Sequence, residues 1–237
     1  MTFSFKRMNA IFLKDWKELY KNSYIIFTLA IPLLFAALIG RMGTDDSSSL
    51  VSMPITLALV VAGVFVQAAM IAEEKEKSTL RGLLLSPAST AEIFVGKSLL
   101  TALMTIFVII GCIYFSDFHV TNLPLFSLLI AINLVFYISM GTMLGLLSRT
   151  VMETTIIGMP VMFIFGMASM FVSMIKSEMI LKLISYLPSE LFASAWVALS
   201  QGKGIGDIMS DVLILLVWAV VSLVLTFVIY GKRRFDK

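Results

Sequence analysis

The sequence predicts an all-α integral membrane protein: six transmembrane helices, an N-terminal amphipathic elbow helix ahead of them, a cytoplasmic helix after span two, and a re-entrant exterior helical hairpin before span six. Composition points there first, with 59% of residues hydrophobic, 14% charged and a mean hydropathy of +0.98; soluble domains are about half apolar and a quarter charged. Length agrees, because a hydrocarbon core about 30 Å thick takes roughly 20 apolar residues per crossing, and 237 residues leave room for about six crossings and no large soluble catalytic domain. The basic residues agree too. Fourteen of the 18 Lys and Arg fall in the N-terminal stretch, the second and fourth loops and the tail, and four in the alternate loops. Lys and Arg in short loops favour the cytoplasmic side, so both termini are expected there. The net charge of +3 is then a topology signal, and no nucleic-acid partner is expected.

All 237 residues read as a single transmembrane domain. Residues 1–22 form the elbow helix, with Phe5, Met8, Phe12, Trp16 and Leu19 three or four apart and Lys14, Asp15, Lys17, Glu18 and Lys21 on other faces, the pattern of a helix lying on the membrane surface. Residues 23–175 carry spans one to five: Ser23 to Gly40, Met53 to Ala72, Ser98 to Ser116, Pro124 to Leu147 and Thr154 to Ile175. Residues 176–207 are expected outside, as two short helices broken at Pro188 that dip into the outer leaflet and return, with Tyr186 and Trp196 at interfacial depth. Span six runs from 208 to 230 and a basic tail from 231 to 237. A signal peptide is not expected, since a charged stretch precedes the first apolar run. The single cysteine, Cys112, and single histidine, His119, leave no disulfide and no thiolate or histidine metal cluster to expect.

The segment from Glu73 to Pro87 holds the densest information. Glu73 can pair with Lys77, acids precede bases along the helix, and Leu80, Leu83 and Leu84 share one face until Pro87 stops it. Ser89 and Glu92 have capping-box spacing, so a new helix starts there and continues through Lys97 into span three. A leucine face with a charged shoulder, formed by Glu74, Lys75, Glu76, Lys77, Thr79, Leu80, Leu83 and Leu84, suits docking into a protein groove; a helix resting on lipid headgroups has the same pattern.

Glu73 to Leu85, followed by Ser86-Pro87-Ala88-Ser89 and Glu92-Ile93-Phe94-Val95-Gly96-Lys97, resembles the region after the second span of ABC type 2 exporter permeases. The resemblance extends to the six-span order, the amphipathic N-terminal helix with Phe12, Trp16 and Leu19, and the Leu187-Pro188 segment ahead of a last span ending in Gly231-Lys232-Arg233-Arg234. It implies a permease of the plasma membrane that pairs with a second copy or paralogue. Each permease docks a separate ATP-binding subunit through the loop helix as a coupling helix, and ATP and Mg belong to that partner, with no cofactor and no catalytic residue on this chain. The first exterior loop, Arg41 to Ser52, is short, so roles of large exterior domains are not expected.

Other motifs carry little. Ala91 to Ser98 ends like a phosphate-binding loop but has Ala91 where glycine is required, and Gly202 to Gly206 lacks a preceding strand and reads as a flexible turn. An intramembrane enzyme would need partners for Glu73 and Glu74 that a lone His119 does not supply, and an ATP-independent channel would favour ionisable residues inside the spans. The family builds its cavity chiefly from spans two and five, which makes Gln67, Met159, Met162, Met167 and Met170 the candidate cargo path; Gln67 and Asn133 also read as helix-to-helix hydrogen bonds, and the methionines as packing at a dimer interface. Flexible thioether walls suit an apolar or amphipathic cargo, a peptide or a drug, better than a lipid-linked or polysaccharide one.

Overall fold

The computed structural model describes residues 4–42, 47–77, 89–168, 175 and 177–233. Helices are the regular secondary structure of those residues, and no strand occurs among them. Helix α1 (Phe5–Lys21) precedes α2 (Ser23–Met42); span two comprises α3 (Ser47–Ala58), a π-helical segment (Leu59–Val66) and α4 (Gln67–Glu76); α5 (Thr90–Phe115), α6 (Leu123–Leu147), α7 (Val151–Gly166), α8 (Glu178–Ile184), α9 (Pro188–Ser200) and α10 (Ile205–Arg233) follow. Among the described residues, five helices are long and apolar enough to cross a bilayer: Ile25–Met42, Leu50–Glu76, Glu92–Phe115, Leu123–Leu147 and Ile205–Gly231. The expected fifth span is represented by the shorter α7, 16 residues long. Helices α8 and α9 meet at a 75° bend, with Pro188 opening α9 where its missing N–H costs nothing.

Span two is the axis of the fold. The stretch Leu50–Glu76 is 100% buried, against 28% to 50% for the other four spans. A helix that is apolar all round has this fate, because in lipid and in protein alike it finds equivalent surroundings, and packing decides. The π-helical segment reflects a weak α preference: Val60, Val61, Val64 and Val66 lose side-chain freedom in an α-helix, and Gly63 lowers the preference further. Close approach sets where α6 crosses it. A Cβ at Gly141 would lie 2.5 Å from the Val64 carbonyl oxygen and 2.8 Å from that of Gly63, and one at Gly145 would lie 2.7 Å from that of Ala68. Small residues thus let two backbones touch.

On the opposite side from α1, Trp196 fills the junction between α9 and α6. It is fully buried, with ring centroids 4.4 Å from Phe126, 5.3 Å from Phe118 and 5.5 Å from Phe192. The Trp196 ring is the centre of an aromatic cluster that fastens the hairpin, while Tyr186 stays half exposed. Trp218 of α10 donates its indole N–H to the Tyr186 carbonyl at 3.0 Å, a second fastening.

Gly141→Val should cost on the order of 3 kcal/mol or more, since backbone rather than a flexible side chain meets the new atoms. The monodisperse yield of the purified protein should collapse. Gly204→Ala, with nothing within 4 Å, should purify like the parent; equal yields for the two variants would contradict this packing.

Candidate functional site

The loop end of span two is where side chains from most of the fold converge. Glu73, Glu74, Lys75, Glu76 and Lys77 follow one another in the last turn of α4, so they point in different directions, and each finds a different neighbour. Lys75 caps the end of α6, its ammonium donating to the Leu146 carbonyl at 2.6 Å and to that of Ser148. Such a cation at a helix C-terminus satisfies orphan carbonyls and meets the dipole. Glu76 accepts the Val151 backbone N–H at 3.2 Å, holding the first residue of α7. Glu73 pairs with Lys77 as its spacing predicts, and accepts from the Asn22 amide at 3.4 Å between α1 and α2.

Glu74 turns inward, to a cluster of four charges. The Lys97 ammonium of α5 lies 2.7 Å from a Glu74 carboxylate oxygen and 3.1 Å from one of Asp15 on α1, and Lys14 reaches both Glu74 and, at 3.5 Å, Asp15. The side chains of Lys97, Asp15 and Glu74 are 6%, 1% and 5% exposed, so two carboxylates and two ammonium groups neutralise one another largely out of water. Breaking a pair buried like this leaves an uncompensated charge and costs about 3 to 5 kcal/mol. Burial by itself would lower the Lys14 pKa, but the hydrogen bond to Glu74 and the charges of Glu74, Asp15 and Glu18 raise it above its ordinary value. Oxygens of Asp15, Glu18 and Glu74 come within 4.8 Å of one another, near enough to share a cation. Lys14 and Lys97 already fill that role, and the cluster is an ion-pair network.

Local sequence explains how α1 reaches it. Ile11, Asp15 and Leu19 are buried against the neighbouring helices at i, i+4 and i+8, and the main chain of Met8 and the side chain of Ile11 lie against Gly96 of α5. The expected membrane face of α1 is thereby revised. Trp16 and Phe5 are exposed, Phe12 is half-buried and stacks on Trp16 at 6.5 Å, but Leu19 belongs to the core. Glu92 adds a second tie between α1 and α5. It completes the capping box with Ser89, its carboxylate accepting the Ser89 N–H at 2.6 Å, and accepts from Arg7 at 3.0 Å and from the Ser4 N–H.

Glu74, Lys75 and Glu76, expected on a docking shoulder, are therefore occupied within the chain. Of the described shoulder Glu76 and Lys77 are exposed; Thr79, Leu80, Leu83 and Leu84 lie outside the described residues, as does Met170. Gln67 does not face an open path. It is 1% exposed, donates to the Thr142 hydroxyl at 3.0 Å and accepts from that of Thr101, which joins spans two, three and four. Asn133 donates to the Leu129 carbonyl of its own helix at 2.9 Å, a local bond in place of the expected interhelical one. Met159 is exposed on α7, and Met162 and Met167 are half-buried, Met162 against the core.

Residues 44–228 match the family model described as ABC-2 family transporter protein. The chain is a member of that family. No curated protein matches it significantly. In this ABC-2 transporter subunit the match takes in the described end of span two, α5, α6, the hairpin and most of α10, whereas α1 lies ahead of it. The half of the charge cluster formed by Lys14 and Asp15 is thus supplied by a segment outside the matched region.

Lys97→Met should lower the stability of the ABC-2 subunit by about 3 to 5 kcal/mol, through two carboxylates left buried without it. Thermal unfolding in detergent measures this, and an unchanged midpoint would contradict the cluster. Lys14 gives a pH signature: a pKa raised by folding stabilises fully below the unfolded lysine value of 10.5 and is lost as pH climbs through the higher folded value. The midpoint difference between wild type and Lys14→Met should be equal at pH 6 and pH 9 and shrink only above about 10.5.

Proposed function

We propose that this ABC-2 subunit is the permease of an ATP-driven exporter of the plasma membrane, moving an apolar or amphipathic cargo, a peptide or a drug, outward. Both termini are cytoplasmic, a second permease copy or paralogue completes the pore, and a separate subunit binds ATP and Mg. Residues 78–88 form the coupling segment, with Leu80, Leu83 and Leu84 seated in a groove of that subunit.

What supports this reading is the construction on either side of the segment. Its first flank, Glu73 to Lys77, is tied to α1, α5, α6 and α7, and its second, Ser89 to Lys97, is tied back to α1 through Glu92 and Lys97. A segment that only rested on lipid would need no such anchorage. Force from a docked ATPase has to reach the spans through its two flanks, and ionic and capping contacts that cross between helices convert a push on one loop into movement of several helices together. In this reading Glu74, Lys75 and Glu76 serve transmission, and docking falls to the leucines.

Replacing Leu83 and Leu84 by Asp removes apolar burial worth about 1.5 to 3 kcal/mol each and puts charge into the groove. ATPase co-purification with the tagged permease should drop at least tenfold at unchanged membrane insertion; wild-type yield of the ATPase would place docking elsewhere. Orientation is checked with single cysteines at Ser47, Ser200 and Asp236 in a Cys112→Ser background. An impermeant thiol reagent on intact cells should label the first two and spare the third, and labelling at Asp236 would reverse the topology.

A further inference from the structure

Two enclosed polar atoms on neighbouring helices have no hydrogen bond among the described residues. Asn133 of α6 is 0% exposed and Ser189 of α9 is 1% exposed. The Asn133 amide nitrogen is committed to the Leu129 carbonyl at 2.9 Å, which fixes Oδ1 as the atom left over. That oxygen and the Ser189 hydroxyl are both buried without a partner. Most buried polar side-chain atoms in folded proteins bond to protein or to an ordered water, because one left bare forfeits its full hydration.

Register brings the two atoms to one level. Helix α9 runs antiparallel to α6: Thr121, just ahead of α6, donates to the Leu199 carbonyl at 3.4 Å, and the Phe126 ring meets that of Trp196 at 4.4 Å. Seven residues make about two helical turns and return to the same face. Seven residues on from Phe126 stands Asn133, and seven back from Trp196 stands Ser189, so these two form the next layer of the same seam. One turn further along α6, Tyr137 feels the charge of Glu190, the neighbour of Ser189, as this register requires.

The groups on the seam select their occupant. Helix α9 opens at Pro188 without a side-chain cap, which leaves the N–H groups of its first turn no intrahelical acceptor, and that of Ser189 finds none among the described residues. The seam thus offers a backbone donor, a hydroxyl that donates or accepts, and an amide oxygen that only accepts. A cation would face the N–H, and an anion would face the amide oxygen and the nearby Glu190. Water both donates and accepts, and about three partners are its usual complement inside a protein. The Trp196 indole N–H, which also lacks a conventional partner, is a separate case: the rings of Phe118, Phe126 and Phe192 surround it, and aromatic faces accept an N–H weakly.

We infer that an ordered water is bound between α6 and α9, donating to Asn133 Oδ1 and bonded to the hydroxyl and backbone N–H of Ser189. It fastens the first turn of α9 to span four, as the Trp196 cluster fastens the middle of that helix. The site is independent of the exporter reading.

The test uses the full chain in lipid nanodiscs. Hydroxyl radicals made from bound water by X-ray radiolysis oxidise the side chains beside it, including those that bulk water does not reach. Phe192 and Tyr137, one turn from Ser189 and Asn133 and both 0% exposed, should be oxidised in the wild type. Asn133→Leu combined with Ser189→Ala should cut that oxidation at least fivefold and leave the exposed Tyr20 and Tyr114 oxidised as before. Absence of oxidation at both buried rings in the wild type, or equal oxidation in the double variant, would overturn the site. Thermal unfolding in detergent gives a second reading. Where two residues hold one water, the double variant loses less midpoint than the two single variants added together, and additive losses would overturn the bridge.

Discussion

Lys97 shared between Asp15 and Glu74 is the contact on which the arrangement of this protein turns. Taking a charge out of water costs several kcal/mol, and the cost is recovered only where an opposite charge is held at close range. Here the holders come from three elements: α1, the end of span two and the start of span three. None can shift alone without leaving a buried charge behind. Lys14 pairs with Glu74, Asp15 and Glu18, and its raised pKa records that the pairing outweighs its partial burial. The helix at the N-terminus is thus bolted to the bundle along the row of Ile11, Asp15 and Leu19, while Phe5 and Trp16 stay exposed.

From that corner span two runs to the far end wholly enclosed, and its contacts change in kind along the way. Ionic ties at Glu73 to Lys77 give way to the Gln67 bridge with Thr101 and Thr142, then to the π-helical turn pressed against Gly141, then to the hydroxyl-lined opening at Thr56 and Ser52. π-helical turns within α-helices recur at functional sites. On the exporter reading, displacement of the coupling segment is carried up one helix to the first turns of span two, where α9 packs on α3, and the π-helical turn lies between the two.

Much of this was legible in one dimension. Apolar runs marked the spans, Ser89 and Glu92 marked the start of α5, Glu73 marked its pairing with Lys77, and Pro188 marked the bend of the hairpin. These are local rules, and local rules survive tertiary context. The failures share a physical cause. In a membrane protein the outside is as apolar as the inside, so hydropathy does not say which face of a helix meets protein. The packing of Trp196 at the middle of a core cluster is therefore not legible in the sequence, nor is the row of Ile11, Asp15 and Leu19 beside the α1 stripe of Phe5, Met8, Phe12 and Trp16. Nor does charge alone show which partners Glu74, Lys75 and Glu76 take within the chain, because those lie 23 to 75 residues away. An acid at position 15 between apolar neighbours at 11 and 19 was the available hint.

The central claim is that buried ion pairs hold α1 and the flanks of residues 78–88 as one rigid unit. Its most direct test is a pulsed electron paramagnetic resonance distance distribution between nitroxides at Leu13 on α1 and Met152 on α7, both exposed, in the Cys112→Ser background. A single narrow distribution is expected for the otherwise unaltered protein, with marked broadening when Lys97→Met is added. An equally narrow distribution in a folded Lys97→Met protein would contradict the account.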